Sequence, residues 1–283
     1  MLSGACSFGV AFDTHTETDL GPAAMTAHRI NLNADLGESF GAWTMGRDSD
    51  LLQLVNSANV ACGFHAGDPL VMRQTVATAR RHGVSIGAHP SFPDLQGFGR
   101  RRMDMKPAEL EAAVVYQIGA LQAIAAAEGH GVTHVKVHGA LSNLASEDIE
   151  LARCVARAVR AVSPELILLA PALSELVHAG HGCGLPVVEE IFADRNYTDE
   201  GDLVPRSHPQ AMVHGPEASV RHVLAILEGA ALVSIHGKRL PCKAGSICVH
   251  GDNAEAVATA QAVREALLAA GYELVGLPDL LTG

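Results

Sequence analysis

The sequence predicts an α/β protein whose strand–loop–helix units close, or nearly close, into a parallel β/α barrel, with an open doubly wound sheet as the alternative. Two observations predict it. From Arg29 onward, seven short apolar runs of strand length alternate with stretches of helical periodicity, as in a parallel sheet wrapped in helices. Five of those runs lead into acidic or imidazole side chains: Asp35 and Glu38, His65, His89, His138 after Lys136, and His250 with Asp252. An open sheet gathers its ligand-binding ends at one switch point, whereas a barrel sets every strand end around one mouth. Reactive residues after many different strands therefore favour the barrel.

The first strand covers 30–34 and runs toward Asp35, and a short helix follows over 48–55. The second strand, 58–62, breaks at Gly63, presents His65, breaks again at Gly67 and yields to Asp68-Pro69, an N-cap followed by a proline at the first helical position. The helix over 69–82 carries Leu70, Met72, Val76 and Ala79 on one side and stops at Gly83. A third strand, 85–88, precedes His89. The 17 residues from 90 to 106 are too many for a simple connector. Phe92, Gly97, Phe98 and Gly99 predict an ordered lid there, carrying Arg100-Arg101-Arg102.

Pro107 opens a long helix to 128 that Gly129 ends. A fourth strand covers 133–137, and Ser146 is expected to cap a helix to 161. The fifth strand (166–170), a helix (173–179) and the sixth strand (186–190) lead to a second irregular region, 192–214, which holds Asp194, Arg195, Tyr197, Arg206 and His208. A helix over 216–229, a hairpin over 231–241, the seventh strand (246–249) and a last helix to 270, capped by Asn253, complete the order.

A chain of 283 residues suits one large α/β domain, assigned to 29–283. With 48% hydrophobic but only 4% aromatic residues, its core must be built from Ala, Val, Leu and Ile. The net charge of −11 argues against nucleic-acid or anionic-membrane partners, which call for a basic surface. Six cysteines without a Cys-x-x-Cys pair read as reduced thiols, pointing to the cytoplasm. No apolar run is expected to approach the roughly 18 residues of a membrane span. Residues 1–28 lack the basic and apolar regions of a signal peptide and read as an irregular extension.

Asp35, His65 and His138 can surround a divalent metal, with His89 and His250 close by as proton carriers. The same residues also serve metal-free acid–base chemistry: His65 or Asp35 activates water, and Lys136 either stabilises an oxyanion or pairs with Asp35 or Glu38. Against these stands the plain alternative of histidines hydrogen-bonded at strand ends. Asp68 and Asp252 can be helix caps as readily as ligands. Arg100–Arg102 can grip a phosphate or carboxylate, or form a solvated turn. Gly237-Lys238 is followed by Arg239 and does not complete a phosphate-binding P-loop.

Longer motifs carry a family resemblance. Asn31-Leu32-Asn33-Ala34-Asp35-Leu36-Gly37-Glu38, Cys62-Gly63-Phe64-His65-Ala66-Gly67-Asp68, Gly87-Ala88-His89-Pro90-Ser91-Phe92 and Gly97-Phe98-Gly99-Arg100-Arg101 resemble the LamB/YcsF family, the family of the 5-oxoprolinase A chain. So do Lys136-Val137-His138-Gly139-Ala140-Leu141, Ala193-Asp194-Arg195, Val204-Pro205-Arg206 and His250-Gly251-Asp252, in order between about Arg29 and Glu273. The resemblance implies a seven-stranded β/α barrel of the glycoside hydrolase/deacetylase group. It implies hydrolysis of the 5-oxoproline lactam to L-glutamate coupled to ATP hydrolysis, with partner subunits B and C. By analogy with that fold group it makes Asp35, His65 and His138 the metal positions. Arg100, Arg195, Arg206 and Lys136 would meet phosphate, Asp35 and the histidines would serve as bases, and Glu38, Asp68, His89, His250 and Asp252 would bind substrate. Val137 stands in place of an expected Pro and Ser142 in place of an expected Tyr. A metal-dependent deacetylase or amidase of the same fold group, and a non-catalytic lactam-binding protein, are the rival readings.

Overall fold

A computed structural model of the chain describes Met1, residues 28–250 and residues 255–282. Asp252, the Asn253 cap and nearly all of the expected N-terminal extension lie outside the described residues. Strands β1 (Arg29–Leu36), β2 (Ser57–Ala61), β3 (Ser85–His89), β4 (Val132–Val135), β5 (Ile167–Pro171) and β6 (Val187–Phe192) pair in parallel, each with the next. A short antiparallel hairpin, β7 (Ala231–Val233) with β8 (Arg239–Pro241), stands apart from them as expected. Strand β9 (Ser246–His250) pairs with both β6 and β1, closing the barrel. Closure puts Asp35 opposite Asn59 on one side and opposite His250 on the other.

Helices α1 (Asp48–Leu51), α2 (Pro69–His82) and α3 (Pro107–Ala127) follow the first three strands, and α4 (Gly139–Glu147) and α5 (Ile149–Val162) follow β4. Helix α6 (Glu175–Gly182) follows β5, α7 (Pro216–Gly229) precedes the hairpin, and α8 (Ala256–Ala269) follows β9. Their apolar sides bury Leu32, Val60, Ile86, Val135 and Ile247 from outside the barrel. The alternate strand positions face inward; on β1, β2, β4 and β9 they are mostly polar, whereas Ile167 and Leu169 of β5 and Val188 of β6 form a small apolar cluster with Leu277. Asn31 Nδ2 donates to Ser57 Oγ at 2.8 Å, Asn33 Nδ2 to Ser246 Oγ at 2.8 Å, and Asn59 Nδ2 to Asn33 Oδ1 at 2.8 Å. The main hydrophobic core is thus a shell between sheet and helices, around an interior that is hydrogen-bonded on one side and apolar beside β5 and β6. Gly87 makes room in that interior, since a β-carbon there would occupy the space of the His134 ring.

Several expected elements differ in detail. Ser146 does not cap a helix: its hydroxyl donates to Ser142 O at 2.9 Å within α4, and Asp148 caps α5 by accepting from the amides of Glu150 and Leu151. The helix after β1 ends at Leu51. Strand β10 (Glu273–Leu274), parallel to β1, and helix α9 (Leu277–Leu280) were not expected; both are too short for periodicity to register. By length and composition the 21-residue α3 is apolar enough to span a membrane, contrary to expectation. Its many alanines make it so, and Leu110, Val114, Ile118 and Leu121 are buried in the barrel's core.

Candidate active site

Strand ends β1, β2, β3, β4, β6 and β9 deliver their side chains to one end of the barrel. Lys136 is buried, with Nζ 3.0 Å from Asp35 Oδ1, 3.2 Å from Glu190 Oε2 and 3.0 Å from Cys248 Sγ. Of the two expected acidic partners, Asp35 is therefore confirmed, whereas Glu190 takes the place of Glu38. Burial pushes the Asp35 carboxyl up, but His89 and Lys136 reverse this and hold it well below the usual carboxylate range. Burial likewise pulls the Lys136 ammonium down, and Asp35, Cys248 and Glu190 more than restore it. Burial keeps the Glu190 carboxyl above its ordinary value despite Lys136.

Above this layer lie Glu38, His65, His89 and His138. The His65 ring stacks on His138 with centroids 3.9 Å apart and planes 8° apart, and His89 meets both edge-on. Burial, with neighbouring imidazoles, keeps His65 and His138 neutral at ordinary pH. Both ring nitrogens of His65 are buried without a hydrogen-bond partner. Such an orphaned imidazole among two further histidines and a carboxylate fits a divalent cation.

A cavity of about 440 Å³ opens over Asp35, Lys136, His89, His138 and His250, with Arg100, Arg195 and Arg206 on its wall. His65 lies behind His138, outside that lining. Val137 and Ser142, where the resemblance led to Pro and Tyr being expected, both line the cavity. Arg195 is buried, its Nη2 donates to Val204 O at 2.7 Å, and its Nε has no partner. Burial and the nearby Arg206 lower its pKa to about 10, so it stays charged at neutral pH. His250 Nδ1 lies 2.8 Å from Asp194 Oδ1, and its ring stacks on Phe192 at 5.5 Å. Asp68 stands apart as the cap of α2, accepting from Leu70 N at 2.8 Å and, through its other oxygen, from Gly41 N at 2.7 Å. Glu190, Asp194 and Cys248 were not among the expected site residues. The alternation Ser246, Cys248, His250 along β9 is the signal that could have found Cys248.

The loop over 90–106 is ordered against the site, as expected of its composition. Phe98 O accepts from His138 Nε2 at 2.9 Å, and Gly99 O accepts from Ala140 N at 2.9 Å. A β-carbon on Gly99, whose φ is +62°, would run into Ser91 and His65. Asp94 accepts from Gly97 N at 2.9 Å and pairs with the Arg101 side chain, so Arg101 fastens the loop and does not enter the cavity. The Arg101 hydrogen bond holds the Asp94 carboxyl below its usual range. A depressed carboxyl contributes stability above its unfolded pKa of about 3.9 and loses it as pH falls through the lower folded value. Amide exchange at Gly97 and Arg101 is therefore expected to quicken in wild type only below about pH 4, and in Asp94→Asn at neutral pH as well. Unchanged exchange at pH 7 in the variant would show that the clamp does not order the loop.

A profile of the LamB/YcsF family matches residues 30–282. A protein of Azoarcus sp. strain BH72 named as the A chain of 5-oxoprolinase is 61% identical over 252 residues, 89% of this chain and 98% of that one. The Bacillus subtilis strain 168 protein of the same name is 50% identical over 251 residues, 89% of this chain and 98% of its own length. The crystal structure of a lactam utilization protein from Thermus thermophilus superposes with a TM-score of 0.83 at 43% identity, covering 88% of this chain and all of that one. At 13% identity and a TM-score of 0.56, a structure described as a putative cellobiose-phosphate cleavage protein of Enterococcus faecalis V583 shares the fold alone, over 90% of this chain and 99% of its own. Sequence and structure agree, and the chain belongs to the LamB/YcsF family.

Proposed function

We propose that this chain opens the lactam ring of 5-oxoproline to L-glutamate, as the A chain of an ATP-dependent 5-oxoprolinase with partner subunits B and C. The observation that carries the reading is the cavity, where three arginines face Asp35, Lys136 and His250. 5-Oxoproline brings one carboxylate; phosphorylated on its carbonyl oxygen it gains a phosphate of about two more negative charges, a total that three guanidiniums match.

A five-membered lactam is a poor electrophile until its carbonyl oxygen is phosphorylated. Water then adds to the ring carbon, the C–N bond breaks as nitrogen takes a proton, and a second water hydrolyses the resulting acyl phosphate to glutamate and phosphate. ATP is a reactant of the assembled enzyme, and the Gly237-Lys238 pair here completes no P-loop. His250 is the base: Asp194 fixes Nδ1 and leaves Nε2 to take the proton from water. Asp35, held ionised against the Lys136 ammonium, is too weak a base for that step, and His65 lies outside the cavity lining. A divalent cation at the histidine cluster, when bound, would supply polarisation of the carbonyl.

The test is glutamate release from 5-oxoproline by the chain reconstituted with subunits B and C, with and without ATP. Release that requires both ATP and this chain is expected, and His250→Ala should lower kcat by about 10²–10⁴-fold. ATP-independent turnover of acetylated sugars would instead support the deacetylase reading, and a fully active His250→Ala would remove the assigned base.

A further inference from the structure

The histidine cluster contains a conflict that its hydrogen-bond partners expose. His89 Nδ1 lies 2.6 Å from the Lys136 carbonyl oxygen, and His138 Nε2 lies 2.9 Å from the Phe98 carbonyl oxygen. A carbonyl oxygen only accepts, so both of these nitrogens carry hydrogen. In neutral rings that leaves His89 Nε2 and His138 Nδ1 bare, yet they face each other at 3.0 Å. Two lone pairs at that separation repel, and a cation between or beside them resolves the conflict.

A proton on His89 Nε2 would satisfy this pair and the Asp35 oxygen 3.4 Å away. It would leave His65 without explanation, because neither of that ring's buried nitrogens has a partner. Glu38 Oε1 lies 3.9 Å from His65 Nε2 and 4.0 Å from His138 Nδ1. One donor atom from each of Glu38, His65, His89 and His138 lies within 4.8 Å of all the others. A metal ion uses all four donors, which a proton cannot.

We infer that Glu38, His65, His89 and His138 bind one divalent ion of the zinc type, and that Asp35 is not among its ligands. Three imidazoles and one carboxylate suit borderline cations such as Zn²⁺ or Co²⁺ better than Mg²⁺ or Ca²⁺. Asp35 does not join the four donors that lie within 4.8 Å of one another, and its Oδ1 is taken up by Lys136 Nζ at 3.0 Å and Asn59 Nδ2 at 2.9 Å. The Lys136 and Phe98 carbonyls fix the tautomers that point the bare nitrogens inward. Compared with the set expected from sequence, Glu38 replaces Asp35 and His89 is added. The ion's role in catalysis rests on the lactam-hydrolase reading, but its binding does not.

Binding is measured without turnover, on tag-free protein stripped with chelator, by calorimetric titration with Zn²⁺ and by visible absorption with Co²⁺. One ion per chain is expected, with Co²⁺ d–d bands. Glu38→Gln and His65→Ala should weaken binding by more than the ~10–100-fold that loss of an outer-shell partner costs, and Asp35→Asn by only a few-fold. Zn²⁺ should raise the unfolding midpoint of wild type but not of His65→Ala. Glu38→Gln preserves side-chain shape, so it tests the site even if His65→Ala fails to fold. Folded wild type that takes up neither ion would overturn the inference, as would Glu38→Gln binding as tightly as wild type. Tight metal binding in a chain that yields no glutamate with its partner subunits would count against the lactam reading alone.

Discussion

Lys136→Met is expected to destabilise the fold by about 3–5 kcal/mol and to abolish glutamate formation. The ammonium is the shared counter-charge of Asp35 and Glu190, whose side chains are 6% and 0% exposed. A methionine of similar length fills the space but leaves two carboxyl groups in the barrel with no cation between them. The pH dependence follows from the shifts. Asp35, held below its ordinary pKa, contributes stability above its unfolded value of about 3.9 and loses it as pH falls through the folded value. Lys136, held above its ordinary value, contributes fully below about 10.4 and loses this as pH rises through the folded value. The deficit of the variant in urea unfolding should therefore be widest between about pH 4 and 10 and shrink in acid, where Asp35 takes a proton. A variant as stable as wild type at pH 7 would mean that the buried triad contributes nothing net to the fold.

Arg195→Ala should behave differently, with a large loss of turnover and a smaller loss of stability. Wild type keeps this guanidinium buried next to Arg206, at a cost that an anionic substrate would offset. Within the fold, removal forfeits its bond to Val204 O and its attraction to Asp194 but relieves repulsion from Arg206, so stability should fall by about 1–3 kcal/mol. With a phosphorylated lactam bound, the cavity wall would lack one of its three cations. Loss of one donor to developing negative charge costs about 10²–10³-fold in kcat. Arg195→Lys should restore only part of that, since an ammonium cannot make the two parallel bonds of a guanidinium. Steady-state kinetics of the reconstituted enzyme alongside thermal unfolding separates the two effects. Equal turnover in variant and wild type would place the anion elsewhere.

Most of the fold was legible because its signals are local. Asp68-Pro69 starts α2 and Gly83, at φ +67°, stops it, as their residue types demand. Strand ends bearing Asp35, His89, His138 and His250 announced a common mouth, and the structure brings them together there. What could not be read depends on closure. Glu190 reaches Lys136 because β6 pairs with β9, and β9 with β1, in a register that local spacing does not encode. Asp194 sits just after β6 in an irregular segment, where only the His250 ring across the mouth gives it a role. That Lys136 pairs with Asp35 and Glu190, while Glu38 lies beside His65 and His138, is likewise a matter of closure. The break between α4 and α5 turned on two nearby cap-type residues, Ser146 and Asp148, of which only Asp148 has amide partners.

The most direct measurement is glutamate production from 5-oxoproline by the fully assembled enzyme carrying His250→Ala in this chain, with wild-type partner subunits and ATP. The assignment of ring opening to this barrel predicts intact assembly and a rate at least ~100-fold below wild type. Wild-type glutamate output from the assembled His250→Ala enzyme would contradict it and place the chemistry on one of the partner chains.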